Sequence, residues 1–198
     1  ENIMPLGANK AAIMGVAGVS TGDVVLLRTI TISDDAIAEF TTNLTSTYGE
    51  YIFSWYNIHQ SSTSDTQLQF GMSDDAGSNY DLSHTTTFWN AYQEESAGSE
   101  EFGYSASYDT HNGAVTTLVP SVGNGADNST AGELHLFNPA STTYVTHFYS
   151  RGQTLGGTSS RDAFAAGYAN ATAAITGVKF LMASGNIASG TIKMWGVP

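Results

Sequence analysis

One stretch of the sequence comes close to a chemical motif in its residue types and their spacing. It is Ser73-Asp74-Asp75-Ala76-Gly77-Ser78-Asn79-Tyr80. It fits the form S-x-D-x-G-x-[T/N]-aromatic of an Asp box. In such a turn an aspartate accepts hydrogen bonds from backbone amides, a glycine takes a positive φ, and the aromatic ring packs beneath the turn. The pattern therefore predicts a hairpin turn that is held together by its own side chains.

This stretch also resembles the Asp-box turns of sialidase-like propellers, which raises the question of sugar hydrolysis. Those propellers carry several copies of the motif and need a cluster of arginines for their acidic sugar. This chain has one copy and three arginines in total. We therefore expect a structural turn here rather than sialidase chemistry.

The same acidic turn is the weak candidate for a metal site. Calcium takes six to eight oxygen ligands from carboxylates and carbonyls, and Asp74, Asp75, Asn79 and Asp81 are close together in the sequence. The stretch lacks the spacing of an EF-hand and its closing glutamate. We therefore expect no bound metal and keep these four residues as the calcium alternative.

Other residues that could do chemistry are not arranged for it. Glu94, Glu95, Glu100 and Glu101 could supply the carboxylate pair of a glycosidase, but they fall in what the pattern predicts to be one solvated loop. The histidines are scattered without metal-ligand spacing, and no nucleophile elbow, Walker loop or dinucleotide fingerprint is present. The sequence predicts a protein that is not an enzyme and uses no cofactor.

Charge and composition exclude two classes of partner. The 198 residues include six Lys or Arg and 18 Asp or Glu, which gives a net charge of −12. The chain therefore lacks the basic surface that binds the phosphate backbone of nucleic acids. No window approaches the roughly 20 apolar residues of a membrane span, and the first residues lack the pattern of a signal peptide. We expect a soluble chain that binds neither nucleic acid nor membranes.

The strands that would position these candidate residues begin near Asp23, where the amino-acid composition of the chain changes. Residues 1–22 are rich in Ala, Gly, Val and Met without a clear period, and we predict an N-terminal arm there, with a loose tail as the alternative. Residues 23–198 are predicted to form a single β-sandwich domain. The arm's apolar residues are candidates for contact with a partner: Ile3, Met4, Leu6, Ile13, Met14 and Val16.

The pattern of residues 23–198 predicts about a dozen short strands separated by clusters of Gly, Asn, Asp and Ser. Only the segments "DDAIAEFTTNL" and "RDAFAAGYANATAA" also permit a short helix. No internal repeat of fixed period is visible, which argues against a propeller. The predicted fold is all-β, an antiparallel and jelly-roll-like sandwich with an extended N-terminal arm.

The last strand, in "SGNIASGTIKMWGVP", alternates without a clearly polar face. An exposed apolar edge would invite aggregation, so we predict that this strand lies centrally in a sheet, with Trp195 in the core or against a neighbouring subunit. Aromatic residues make up 11% of the chain. They could form a sugar-stacking platform, but we expect most of them in the core or at a subunit interface.

The amino-acid sequence resembles those of a group of structural proteins from the virions of tailed phages of aquatic bacteria. The resemblance rests on "STYGEYIFSWYNIHQSSTSDTQLQFGMSDDAGSNYD", "GELHLFNPASTTYVTHFYSR" and "ASGNIASGTIKMWGV". That group has a two-aromatic strand leading to a D-x-G-S-x-Y turn, a strand before an "NP" turn, and a closing "SGTIKMYGI" or close variant. The match covers roughly residues 24 to 198.

The resemblance implies a non-enzymatic β-sandwich on the virion surface, most simply a capsid decoration or cement protein on the head. It implies a homotrimer that binds the major capsid protein or other virion proteins, since symmetric oligomers bury such strand edges. The alternative is a tail-fibre, receptor-binding or carbohydrate-binding module that contacts a host surface glycan. No catalytic residue is carried over from the group.

Overall fold

The computed structural model describes residues 24–96 and 98–198, and this part of the chain is built from strands and turns. The arm residues from Ile3 to Val16 lie outside the described residues. The strands are β1 (Val25–Asp35), β2 (Ile37–Phe40), β3 (Glu50–Gln60), β4 (Thr66–Ser73), β5 (His84–Glu94), β6 (Glu100–Tyr104), β7 (His111–Gly113), β8 (Thr116–Val122), β9 (Thr130–Phe137), β10 (His147–Gly156), β11 (Ser159–Ala169), β12 (Gly177–Met182) and β13 (Ile187–Val197).

The strands form two antiparallel sheets packed against each other, so the predicted all-β sandwich is confirmed. The larger, nine-stranded sheet has the order β1-β13-β3-β9-β10-β11-β5-β6, and β7 also pairs with β5. The smaller sheet has the order β2-β12-β4-β8. We call the face of the larger sheet that meets the smaller one its inner face, and the opposite one its outer face.

The two segments that also permitted a short helix contain strands and no helix: the first includes β2 and the second includes most of β11. Ala38 and Phe40 of β2 are buried, while Glu39 between them is more exposed. In β11, Ala163 and Ala165 are buried in the same alternating manner. Within residues 24–96 and 98–198 there is no helix of the length and apolar character needed to cross a membrane.

The core between the sheets is dominated by aromatic side chains. Phe53 of β3 packs edge-on against Phe40 with ring centroids 5.3 Å apart, and it packs against Phe180 of β12 at 5.6 Å. Each such side chain contributes about 1.5–3 kcal/mol when it is fully buried. Trp55 lies in the same layer, 6.4 Å from Phe180.

Two glycines make room for the Trp55 ring. A Cβ atom at Gly132 of β9 would lie 2.6 Å from Trp55 Cζ2, and one at Gly152 of β10 would lie 3.1 Å from the same atom. Gly132 and Gly152 pair directly across the two strands. The indole therefore lies against bare backbone, which no larger residue at Gly132 would allow.

Tyr51, on the same strand as Trp55, is fully buried but keeps its hydroxyl bonded. The hydroxyl donates to the carbonyl oxygen of Thr45 at 2.8 Å and accepts from the Thr45 amide at 2.9 Å. One side chain thus satisfies both backbone groups of a residue in the preceding loop. This contact fixes the loop against β3.

The last strand lies in the interior of the larger sheet, as predicted, because β13 pairs with β1 on one side and β3 on the other. Ile192 and Met194 are buried in the core. Trp195 points to the outer face, where it is half-buried and its Nε1 donates to Ser54 Oγ at 3.0 Å. The alternative that Trp195 belongs to the core is therefore wrong, and its contact with a neighbouring subunit stays a prediction.

Candidate functional site

The Asp-box-like turn has the predicted geometry. The Asp75 carboxylate accepts hydrogen bonds from the Ser73 hydroxyl at 2.7 Å, the Asn79 amide at 2.9 Å and the Asn79 side chain at 2.7 Å. The bond from the Asn79 backbone, followed by those from the two side chains, lowers the pKa of Asp75. Gly77 has the expected positive φ of 88°.

The aromatic residue of the motif packs beneath this turn. A Cβ atom at Gly77 would lie 3.1 Å from the Tyr80 hydroxyl, and Lys179 Nζ lies 4.7 Å from the centre of the Tyr80 ring. Burial, and then the charge of Glu39, raise the pKa of Tyr80. The turn is a structural unit that connects β4 to the loop before β5.

The three aspartates among the four calcium candidates do not form a metal-binding group. Asp74, Asp75, Asn79 and Asp81 are all exposed, and both carboxylate oxygens of Asp75 already accept hydrogen bonds from Ser73 and Asn79. In the described part of the chain no three His, Cys, Asp or Glu residues form a group that could hold a metal ion. The geometry of the turn is explained by its hydrogen bonds.

The glutamates that could have formed a glycosidase pair are at the surface. Glu95, Glu100 and Glu101 are exposed, and Glu94 is half-buried at the end of β5. They lie on two paired strands and the turn between them, where Gln93 pairs with Glu100. Only Glu95 lies in the turn, so the prediction that all four fall in one loop is wrong, although their position at the surface agrees with it.

The outer face of the larger sheet carries a group of aromatic residues that face solvent. Phe137, Tyr149 and Tyr168 lie on the adjacent strands β9, β10 and β11 and are 36%, 43% and 38% exposed. His135 stacks on Tyr149 with the rings 4.5 Å apart and 11° from parallel. A cavity of about 470 Å³ lies between these rings and the start of β5.

A second aromatic group lies on the same face, toward β5 and β6. Trp89 and Phe164 are stacked at 3.8 Å and 7° from parallel, and Phe102 meets Trp89 edge-on at 5.3 Å. Arg151 lies 5.1 Å from the Phe164 ring. We call the two groups together the outer aromatic surface: Trp89, Phe102, Phe137, Tyr149, Phe164 and Tyr168.

A shallow groove of about 570 Å³ adjoins the two groups, and its lining includes the polar residues Glu133, Arg151, Gln153, Ser160 and Asp162. Arg151 donates to both carboxylate oxygens of Asp162, at 3.1 and 2.8 Å. This paired hydrogen bond raises the pKa of Arg151. Aromatic rings beside fixed polar groups can stack on a flat ligand and also bind its hydroxyl or amide groups.

His135 lies at the edge of this surface between two carboxylates. Its Nδ1 is hydrogen-bonded to Glu50, and its Nε2 lies 3.5 Å from a carboxylate oxygen of Glu133. Burial, and then the charges of these two glutamates, raise the pKa of Tyr149. The structure thus places His135 and His147 on the outer face, as partners of the aromatic rings on β9–β11.

Sequence reasoning assigned most aromatic residues to the core or an interface and did not identify the outer aromatic surface. A signal was present on β10, where Tyr149 alternates with the buried Phe148 and Ser150 and precedes Arg151 and Gln153 on the same face. Alternation reveals two faces in one strand. It does not show that Phe137, Tyr149 and Tyr168 are neighbours, since that depends on strand pairing.

Comparison of the chain with known protein families, with curated proteins and with solved structures found no match.

Proposed function

We propose that the protein is a non-enzymatic structural protein of a phage virion, a decoration or cement protein that binds the outer surface of the head. The observation that supports this function best is the outer aromatic surface, with its exposed rings on one broad sheet face. Large exposed apolar patches mark sites of interaction. The resemblance of the sequence to virion proteins indicates the kind of partner.

The chemistry of this face suits a protein partner. Aromatic residues and arginine are enriched at protein interfaces, while lysine and glutamate are depleted there. The outer aromatic surface combines stacked rings with Arg151, whose charge is already paired with Asp162. Burying this face against the major capsid protein would therefore leave the charge of Arg151 paired.

The proposal includes a homotrimer, with the arm lying on the shell. In a symmetric trimer each copy contacts its two neighbours through two different patches, and the exposed β1 edge, with Leu26 and the preceding Val24, offers apolar contact area for one of them. Light scattering on the full chain should give three times the mass of one chain. A monomer would contradict the trimer but not the binding of the shell.

Particle binding tests the main proposal. Phage particles that lack this protein are mixed with the purified full chain and sedimented, and the bound fraction is measured. The double variant Phe137→Ser and Tyr149→Ser should lose affinity by a factor on the order of a thousand, since central aromatic contacts cost about 2 kcal/mol each when truncated and each 1.4 kcal/mol is a factor of about ten. Tyr144→Ser is the matched control, because Tyr144 is 74% exposed in the loop before β10.

Two outcomes contradict this proposal. Wild-type protein that does not sediment with the particles would refute the decoration function. Wild-type binding that the double variant leaves unchanged would refute the assignment of the outer aromatic surface. Circular dichroism of each variant shows whether the fold is retained.

A second function, that of a carbohydrate-binding module, is favoured by the alignment of the exposed rings. Trp89, Phe102 and Phe164 form one continuous group beside a groove with amide and hydroxyl groups, which is the arrangement that stacks on sugar rings. A glycan array with the full chain distinguishes the two functions. Hits that Phe102→Ser abolishes would support sugar binding at this surface, and an array without hits would argue against it.

A further inference from the structure

The inner face of the larger sheet carries a polar pocket at its β5–β6 end, next to the part covered by the smaller sheet. Phe88 of β5 packs there against Tyr108, with ring centroids 5.4 Å apart. Tyr108 belongs to the loop 105–110, and two hydrogen bonds hold this loop against β5. The Ser105 amide donates to the Phe88 carbonyl oxygen at 2.9 Å. The Thr110 amide donates to Thr86 Oγ1 at 2.8 Å. Next to this loop a cavity of about 310 Å³ remains open.

Arg161 is the only cation that lines this cavity among the residues described. It pairs with Tyr92 across β11 and β5, so the two side chains share a face. The guanidinium lies 4.7 Å from the centre of the Tyr92 ring, within the range of a cation–π contact. Asp162, the next residue, points to the outer face, where it binds Arg151.

The guanidinium of Arg161 lacks a partner in the described part of the chain. Its Nε atom is buried without a hydrogen-bond acceptor, and it forms no ion pair there, whereas Arg151 has a bidentate one. Arg161 is half-buried, and charged groups that lose part of their hydration are normally paired. An arginine held in this way is ready to bind an anion.

The guanidinium also selects the type of anion. Its planar fork of donors matches the two oxygens of a carboxylate and can bind both at once. The chain carries a net charge of −12 and Glu101 lies at the pocket, so a polyanion would be repelled. A ligand with one carboxylate among neutral groups fits this field best.

The remaining walls of the pocket suit the neutral part of such a ligand. They are almost entirely polar: Asn90, Ser105 and Ser107 supply amide and hydroxyl groups beside Tyr104 and Tyr108. The Tyr104 hydroxyl donates to Asp109, so the position of its ring is fixed. Convergent amide and hydroxyl groups can hydrogen-bond the hydroxyl groups of a pyranose.

We propose that this pocket binds an acidic sugar, a uronic or sialic acid residue whose carboxylate is held by Arg161. The pocket is on the opposite side of the sheet from the outer aromatic surface. It does not depend on the particle-binding function, and each proposal can fail without the other.

The test uses the full chain and isotope-labelled NMR of the arginine Nε–H group, together with saturation transfer from protein to sugar. The probes are the methyl glycosides of galacturonic acid and N-acetylneuraminic acid, with methyl galactoside and acetate as controls. We expect an acidic glycoside at millimolar concentration to shift the Arg161 Nε–H signal. Methyl galactoside should not shift it, and acetate should bind more weakly because it makes no contact with the walls.

Variants connect the binding to the residue. Arg161→Gln should weaken binding of the acidic glycoside by about tenfold or more, since a charge-assisted bidentate contact is among the strongest hydrogen-bonded contacts. Arg161→Lys should retain part of the affinity. Lys179→Gln is the control, because it removes one positive charge from β12 of the smaller sheet, and it should bind as the wild type does.

Three results would overturn the proposal. The first is that neither acidic glycoside shifts the Arg161 signal of the wild-type protein, a measurement that does not depend on the folding of any variant. The second is binding that Arg161→Gln leaves unchanged. The third is acetate binding as tightly as the glycosides, which would leave an anion site but refute an acidic sugar as its ligand.

Discussion

Acid should destabilise this fold through His84, the first residue of β5. Its imidazole is fully buried, stacked on Phe70 at 5.3 Å and edge-on to Phe148 at 5.8 Å. Nδ1 is 3.0 Å from Thr116 Oγ1, and Nε2 has no partner in the described part of the chain. Burial lowers the pKa of His84 from 6.5 to about 4, because a charged imidazole would lose its hydration there.

The size and sign of the effect follow from proton linkage. Between these two pKa values the unfolded chain binds a proton at His84 that the folded chain does not bind. The stabilisation from the neutral imidazole is therefore complete above about pH 6.5 and is lost as the pH falls toward the folded-state value of about 4. Each pKa unit corresponds to 1.36 kcal/mol, so this single group accounts for about 3 kcal/mol.

The assay is urea unfolding of the wild type and of His84→Gln at several pH values from neutral to about 4. Other groups titrate over this range, and neutralising carboxylates also relieves the net charge of −12. The difference in unfolding free energy between wild type and variant cancels those shared effects. We expect this difference to shrink by about 3 kcal/mol between neutral pH and pH 4.

The control is His147→Gln, which removes an exposed imidazole from β10. Its free energy of unfolding should stay close to that of the wild type across the range. A difference between wild type and His84→Gln that stays constant with pH would refute the reasoning. So would an NMR titration in which the His84 ring protonates near pH 6.5 in the folded protein.

Two further substitutions test the packing of β3, both by urea unfolding. Gly132→Ala should lower the free energy of unfolding by about 2–3 kcal/mol, because the new methyl group overlaps the Trp55 ring and the β10 backbone. Gly49→Ala is the control, because its Cβ atom would meet nothing within 4 Å. It should change the free energy of unfolding by less than about 0.5 kcal/mol. Equal effects of the two substitutions would refute the packing argument. Tyr51→Phe should cost about 1–2 kcal/mol because both backbone groups of Thr45 lose their partner, and a neutral result would show that water replaces the hydroxyl.

The sequence by itself determined the features that rest on local contacts. The Asp-box-like turn was predictable because every hydrogen bond of Asp75 joins it to residues within four positions along the chain. The strands were predictable because alternating apolar side chains and Gly/Asn clusters act over a few residues. The central position of β13 could be inferred because an apolar strand edge must be covered.

The tertiary structure alone decided which faces are covered and which side chains meet. Alternation assigns Trp195 and Met194 to opposite faces, but only the packing of the smaller sheet makes one of them buried and the other half-exposed. The outer aromatic surface joins residues from β5, β6, β9, β10 and β11. The Arg161 pocket likewise joins residues far apart in sequence. Such sites depend on the register of long-range strand pairs, which no short stretch of sequence specifies.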